Sequence, residues 1–331
     1  MLVIGGTGFL GRRITSAFVE RGDQVSVLSR GQRSLSCDAE QVRADRRDSS
    51  SLRTALSARA FDVVVDNIAY EPEDVSSLLD VLHGRVGHYL MTSSTAVYAD
   101  RFVRRPLRED DADLRERAPV DAPNPFHSRH GHAYANAKRA AEQVLHATGD
   151  LAWTILRPPV ILGADDRTLR VWWFVQRLRD GGPIVIPDWG PGRVFQVAWA
   201  HDVARAFVTA AGNPSVYGHA YNVAQAEIYT AETWIAACAH WLSVSPRYAH
   251  LPESALADLD LADYALPVAG RPFGHVLLNL SAAQFDFDFE PQPEDVWLRA
   301  TLQDCAANPP AGNSAHYDQR EAELRAAMAA L

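Results

Sequence analysis

The chain has 331 residues, 47% hydrophobic and 22% charged, and its 32 Lys and Arg against 41 Asp and Glu leave a formal net charge of −9. That length supports one large domain or two unequal ones around a sizeable core. The acidic balance argues against nucleic acid as a partner, no run of 18 apolar residues suits a membrane span, and the start reads as a core strand, not a basic export leader. A cytoplasmic location is therefore expected. Cys37, Cys238 and Cys305 have no metal-like spacing and read as thiols in a reducing compartment.

The chain opens MLVIGGTGFLG. Leu2 to Ile4 form a short apolar run that breaks into Gly5, Gly6, Gly8 and Gly11, and helical periodicity follows through Ile14, Phe18 and Val19. A strand, a glycine turn and a helix in that order make a phosphate cradle. Gly5 permits the turn, Gly8 lets backbone N–H groups approach a pyrophosphate, and Gly11 lets helix and strand pack closely. Val25 to Leu28 read as a second strand, followed by Ser29 and Arg30 where a carboxylate would grip a free ribose. Arg30 is either a solvated loop residue or the partner of a 2′-phosphate. The second reading favours NADP, with NAD as the alternative.

Val42 to Ala44 predict a third strand, with Asp45 at the adenine edge, and Ser51 to Ala58 a helix. The run FDVVVDN at 61–67 reads as a parallel strand covered on both faces. Val75 to Leu82 predict a helix and Tyr89 to Thr92 a fifth strand, which runs into Ser93, Ser94 and Thr95. Residues 101–133 are polar and proline-punctuated, as expected of a long loop. His127, His130 and His132 fall in it without a complementary Cys or carboxylate set, so no metal is expected. The next helix carries Tyr134 and Lys138, four apart and on one face. A phenol beside a cation and a serine hydroxyl suits proton transfer at a carbinol: Tyr134 as acid or base, Lys138 favouring tyrosinate and holding a ribose, Ser94 orienting the substrate oxygen.

Taken together, GGTGFLG at 5–11, Asp45, Ala69, SSTAVY ending at Tyr98, YANAK at 134–138 and LRPPVILG at 156–163 carry a resemblance. The chain resembles the extended short-chain dehydrogenase/reductases, the superfamily of the NAD(P)-dependent epimerase/dehydratase enzymes. This implies an α/β fold: a Rossmann-type doubly wound parallel sheet with a smaller, discontinuous C-terminal substrate domain. It implies cofactor contacts at Gly5, Thr7, Gly8, Phe9, Leu10, Gly11, Ser29, Arg30, Asp45, Ala69, Lys138 and Pro158, and substrate contacts at Thr95 and Arg193. The last resembles the arginine that grips a pyrophosphate in nucleotide-sugar members. A homodimer is implied as well, paired through Val75, Leu78, Leu79 and Leu82 on one helix and Ala137, Ala141 and Val144 on another.

In the second half, Trp153 to Leu156 predict a sixth strand, and Thr168 to Leu178, Val203 to Ala211 and Thr230 to Leu242 predict helices. Phe285, Phe287 and Phe289 alternate before a closing helix from Pro293. The expected division is 1–163 with returning segments 196–224 for cofactor, 164–195 and 225–308 for substrate, and 309–331 as a surface helix or tail. The leading functional expectation is an NADP-dependent oxidoreductase acting on a carbonyl or alcohol carbon, with specialised metabolism as one setting. The alternatives are a nucleotide-sugar epimerase that retains its cofactor and a non-catalytic nucleotide-binding regulator. A sugar 4,6-dehydratase is disfavoured, because Thr95 and Ala96 stand where such enzymes place Asp-Glu.

Overall fold

Apolar runs of a few residues, each followed by a helical stretch, dictate parallel strands, because a parallel pair needs a crossover between its members. The computed structural model describes residues 1–331 apart from 36, 100, 102, 118–130, 189–192, 253–254, 257–265, 267–276, 316 and 331. Its strands are β1 (Leu2–Ile4), β2 (Ser26–Ser29), β3 (Glu40–Arg43), β4 (Phe61–Asp66), β5 (Val86–Thr92), β6 (Trp153–Arg157), β7 (Ile161–Leu162), β8 (Ile184–Asp188), β9 (Ala198–Trp199), β10 (His219–Asn222) and β11 (Tyr248–Pro252). Seven make one parallel sheet in the order β10-β6-β5-β4-β1-β2-β3, while β8 pairs with β11 and β7 with β9.

Alternation along the strands supplies two cores. Val3, Val27, Val65 and Leu90 face α1 (Phe9–Glu20) and α6 (Ala200–Ala210). Leu2, Leu28, Val64 and Met91 face α2 (Ser49–Leu56), α3 (Pro72–Val81) and α4 (Gly131–His146). This is the doubly wound arrangement. Strand order reverses at β1, which pairs β2 on one side and β4 on the other, opening a crevice beyond their carboxyl ends. Val75, Leu78, Leu82 and Ala141, expected at a dimer contact, are buried against the sheet.

The C-terminal half builds a third core from α5 (Arg170–Asp180), β8, α7 (Ala231–Leu242), β11, α9 (Glu294–Ala307) and α10 (Arg320–Ala330). Trp173, Phe174, Trp234 and Trp297 fill it, the last two stacked 6.1 Å apart.

Two sequence expectations fail here. Residues 309–331 are not a surface appendage: Ala326 and Ala327 of α10 are buried in the third core, and buried Glu323 accepts from Arg177 Nε at 3.0 Å. Phe287 and Phe289 of the alternating phenylalanines, expected in the substrate domain, belong to the main sheet's core instead. Ser281–Phe287 is a short helix (α8), closed by Asp288 at a φ of 54°, and Phe287 and Phe289 pack on the α1/α6 side of the main sheet. The period of two arises because one ring ends the helix and the other follows the reversal, which leaves Phe285 89% exposed.

Candidate active site

The crevice holds a groove of about 500 Å³ lined by Gly5, Thr7, Gly8, Ser29, Arg30 and Asp45, with Arg33, Arg47, Tyr70 and Asp74 among its other walls. Its floor depends on two glycines. Gly5 has a φ of +78°, which a side chain would strain, and a Cβ on Gly11 would lie 2.1 Å from the Gly5 carbonyl oxygen. Helix α1 can thus start hard against the end of β1. No side chain caps Gly8 and no acidic residue stands in the first turn, so the helix N-terminus keeps its N–H groups and dipole for an anion. A Cβ on Gly8 would meet only the Gly5 oxygen, at 3.4 Å, leaving the approach open. These residues fit a dinucleotide pyrophosphate. The Leu10 side chain is committed to the core and the Phe9 ring to the Arg13 guanidinium, so each can offer a ligand only its backbone N–H.

At the far side of β4, the carboxyl ends of β4 and β5 meet α4. Lys138 is buried, its Nζ donating to the carbonyls of Ala69 (2.7 Å) and Thr92 (2.9 Å). Burial lowers its pKa to about 8, against the opposing pull of Asp66, Glu142 and Asp74. Tyr134 sits one turn earlier, 37% exposed, with its hydroxyl hydrogen-bonded to Ser94. Burial of the phenol group pushes its pKa up to about 12; the Ser94 contact works the other way and Tyr70 adds to the rise. The expected depression by Lys138 is therefore absent, with Nζ 5.8 Å from the Tyr134 ring centroid. Thr95 is buried below Ser94, its N–H on the Pro158 carbonyl at 3.1 Å, which fixes Pro158 against the same turn. Arg193 is half-buried in the irregular segment before Phe195 and is not among the residues that line the groove.

Several site groups escaped the sequence reading. Glu142 receives Arg157 through Nε (3.0 Å) and Nη2 (2.5 Å) and the Ser93 hydroxyl (2.5 Å), all buried. Arg157 Nη1 also donates to the Tyr98 hydroxyl at 3.0 Å, and that hydroxyl donates to Asn222 Oδ1. The network ties β5, β6, β10 and α4 together directly behind Ser94. A signal existed: Tyr134, Lys138 and Glu142 recur every four residues on one helix face. Asp66 likewise accepts both Arg46 nitrogens (2.7 and 2.9 Å) and the Tyr89 hydroxyl (2.8 Å) beneath the groove. Of the loop histidines, His127 and His130 lie outside the described residues and His132 is buried at the start of α4. No group of His, Cys, Asp or Glu suited to a metal occurs among the described residues. None of the described helices is long and apolar enough to cross a membrane.

A parallel sheet of this order, a glycine cradle at its switch point, and a Ser, Tyr, Lys set at the neighbouring strand ends define a Rossmann-type dinucleotide-binding protein. The model of the NAD dependent epimerase/dehydratase family matches residues 1–224, and the chain belongs to that family of NAD(P)-dependent enzymes. Among curated proteins it is 29% identical, over 72% of its length, to the chloroplast stem-loop binding protein of 41 kDa b of Arabidopsis thaliana, and spans 62% of that relative. Its fold is similar to a UDP-glucose 4-epimerase of Thermotoga maritima solved with UDP-glucose (TM-score 0.70, 18% identity, 93% of this chain and 99% of that one). It is similar too to WbmH of Bordetella bronchiseptica solved with NAD+ (TM-score 0.67, 16% identity, 93% and 99%).

Proposed function

We propose that this chain uses a bound nicotinamide dinucleotide to oxidise and re-reduce a hydroxyl-bearing carbon of a nucleotide-linked sugar, as a retained-cofactor epimerase. The observation that carries it is the Ser94–Tyr134 hydroxyl pair beside buried Lys138. The bound cofactor would supply hydride acceptance and return. Tyr134 moves the proton: as a phenol it donates to the developing alkoxide, and as tyrosinate it takes the proton back. Ser94 holds that oxygen, and Lys138 supplies the fixed positive charge behind the pair. Gly5, Thr7, Gly8, Gly11 and the backbone of Phe9 and Leu10 hold the pyrophosphate, with Ala69 and Pro158 at the nicotinamide end. Thr95 and Arg193 remain the proposed substrate contacts. The family model and the fold relatives, one of them solved with UDP-glucose, support the epimerase form.

A second reading, a reductase with net turnover of NADP(H), is favoured by Ser29 and the exposed Arg30, with Arg33 and Arg47 lining the same end of the groove. Three guanidinium groups suit a 2′-phosphate better than a bare ribose. Incubation with NAD+ or NADP+ and a panel of UDP- and dTDP-hexoses separates the two. Epimer interconversion without net absorbance change at 340 nm supports the first, and net change with a carbonyl compound supports the second. Turnover that survives Tyr134→Phe would overturn both.

Stem-loop binding, the activity in the curated relative's name, has weaker support. The arginines of 101–117 interleave with carboxylates, Arg105 pairing Asp111 at 2.7 Å and Arg101 pairing Glu116 at 3.0 Å. The working form is proposed to be a homodimer. Light scattering that shows a monomer at micromolar concentration would reject this.

A further inference from the structure

Tyr70 and Asp74 are among the residues that line the groove. The Tyr70 ring also lies over the Lys138 ammonium, 4.9 Å from Nζ to the centroid, nearer than the Tyr134 ring. An ammonium has three donor hydrogens. Two point at the carbonyls of Ala69 and Thr92, so a ribose hydroxyl must reach Nζ from the side that the aromatic rings cover. The Tyr70 backbone is pinned, its N–H on Asp74 Oδ2 at 2.8 Å, while Arg46 Nε holds the other oxygen at 3.0 Å. The side chain is 48% exposed.

We infer that the Tyr70 ring is a displaceable plug in the nicotinamide-riboside seat, covering Lys138 in the free protein and swinging away when the riboside half of a dinucleotide arrives. This rests on the reading of the groove as a dinucleotide site. The adenosine half then binds unopposed, while the riboside half must replace a cation–π contact, which opposes binding by about 2- to 30-fold.

The test uses calorimetric titration of the full chain and of Tyr70→Ala and Tyr70→Phe with NADPH, NADH, 2′,5′-ADP and 5′-AMP, after thermal melts show that each variant is folded. Tyr70→Ala should tighten the preferred dinucleotide by about 2- to 30-fold and leave its adenosine fragment within about twofold. Tyr70→Phe should match the wild type, since it keeps the ring. Weaker dinucleotide binding by Tyr70→Ala would make the ring a contact and overturn the plug, as would unchanged affinity or an equal shift for the fragment. Binding of fragments but of neither dinucleotide, in both wild type and Tyr70→Ala, would remove the riboside seat and the plug together. Binding of none of the four by any variant would refute the dinucleotide reading itself.

Discussion

At the β2 end of the site Arg30, Arg33 and Arg47 stand exposed, whereas at the α4 end Lys138, Glu142, Arg157 and Asp66 are all buried and each is held by named partners. Exposed guanidinium groups cost little to keep and can rearrange around a ligand, but salt screens them and no single geometry is imposed. Buried charges pay a large desolvation cost and earn nothing obvious in stability over apolar residues of the same size. What they supply is position. The Glu142–Arg157 pair holds the strand end bearing Ser94 at a set distance from the helix bearing Tyr134. One end of the site is organised for recognition and the other for geometry.

The sharpest way to break this comparison is Tyr134→Phe. It should lower turnover by about 10²- to 10⁴-fold while the dinucleotide dissociation constant stays within about twofold, measured by steady-state kinetics beside calorimetry. A loss of binding that matched the loss of turnover would show that the two ends are not separable.

Arg157→Met comes next, because it strands the Glu142 carboxylate. Destabilisation of about 3–5 kcal/mol is expected by urea unfolding, and the double variant with Glu142→Leu should recover most of it. If the double variant also regained full turnover, the pair would be a stability device and not a positioning one.

At the exposed end the effect should be smaller and selective. Arg30→Ala should weaken NADPH about tenfold and leave NADH unchanged, as expected for one charge-assisted hydrogen bond. Equal NADPH affinity in the two proteins would remove Arg30 from the phosphate site.

The smallest effect concerns a buried group away from both ends. His88 bonds Thr154 Oγ1 through Nε2 at 2.9 Å and accepts the Gly212 N–H on Nδ1 at 3.1 Å, and burial lowers its pKa from 6.5 to about 4. The folded chain keeps this ring neutral where the unfolded chain protonates it. Its contribution is complete above pH 6.5 and drains away as the pH falls toward 4, by about 1 kcal/mol per pH unit in that window. His88→Gln should flatten the fall in melting temperature between pH 6.5 and 5.5 without altering dinucleotide affinity. An unchanged slope would refute the assignment.

Local signals sufficed for most of the frame. The glycine run announced the cradle because a turn with positive φ followed by a helix admits few residue types, and FDVVVDN announced a strand covered on both faces. Tyr134 and Lys138 were legible as a helical pair, and their union with Ser94 followed from the sheet order. The position of the last helix was not legible. An Ala- and Glu-rich segment reads as solvated until Arg177, 146 residues earlier, is seen to pair with buried Glu323. The phenylalanine alternation did not say which core the rings join, because that depends on the chain reversal at Asp288, which carries Phe287 and Phe289 onto the main sheet. Which charges are buried is also a tertiary matter. Glu142 and Arg30 look alike as isolated ionic residues, and only the packing of β5, β6 and α4 gives one a fixed partner and leaves the other in solvent. The sequence carried the chemistry in local patterns, and the chain's long-range contacts decided where its charges could be held still.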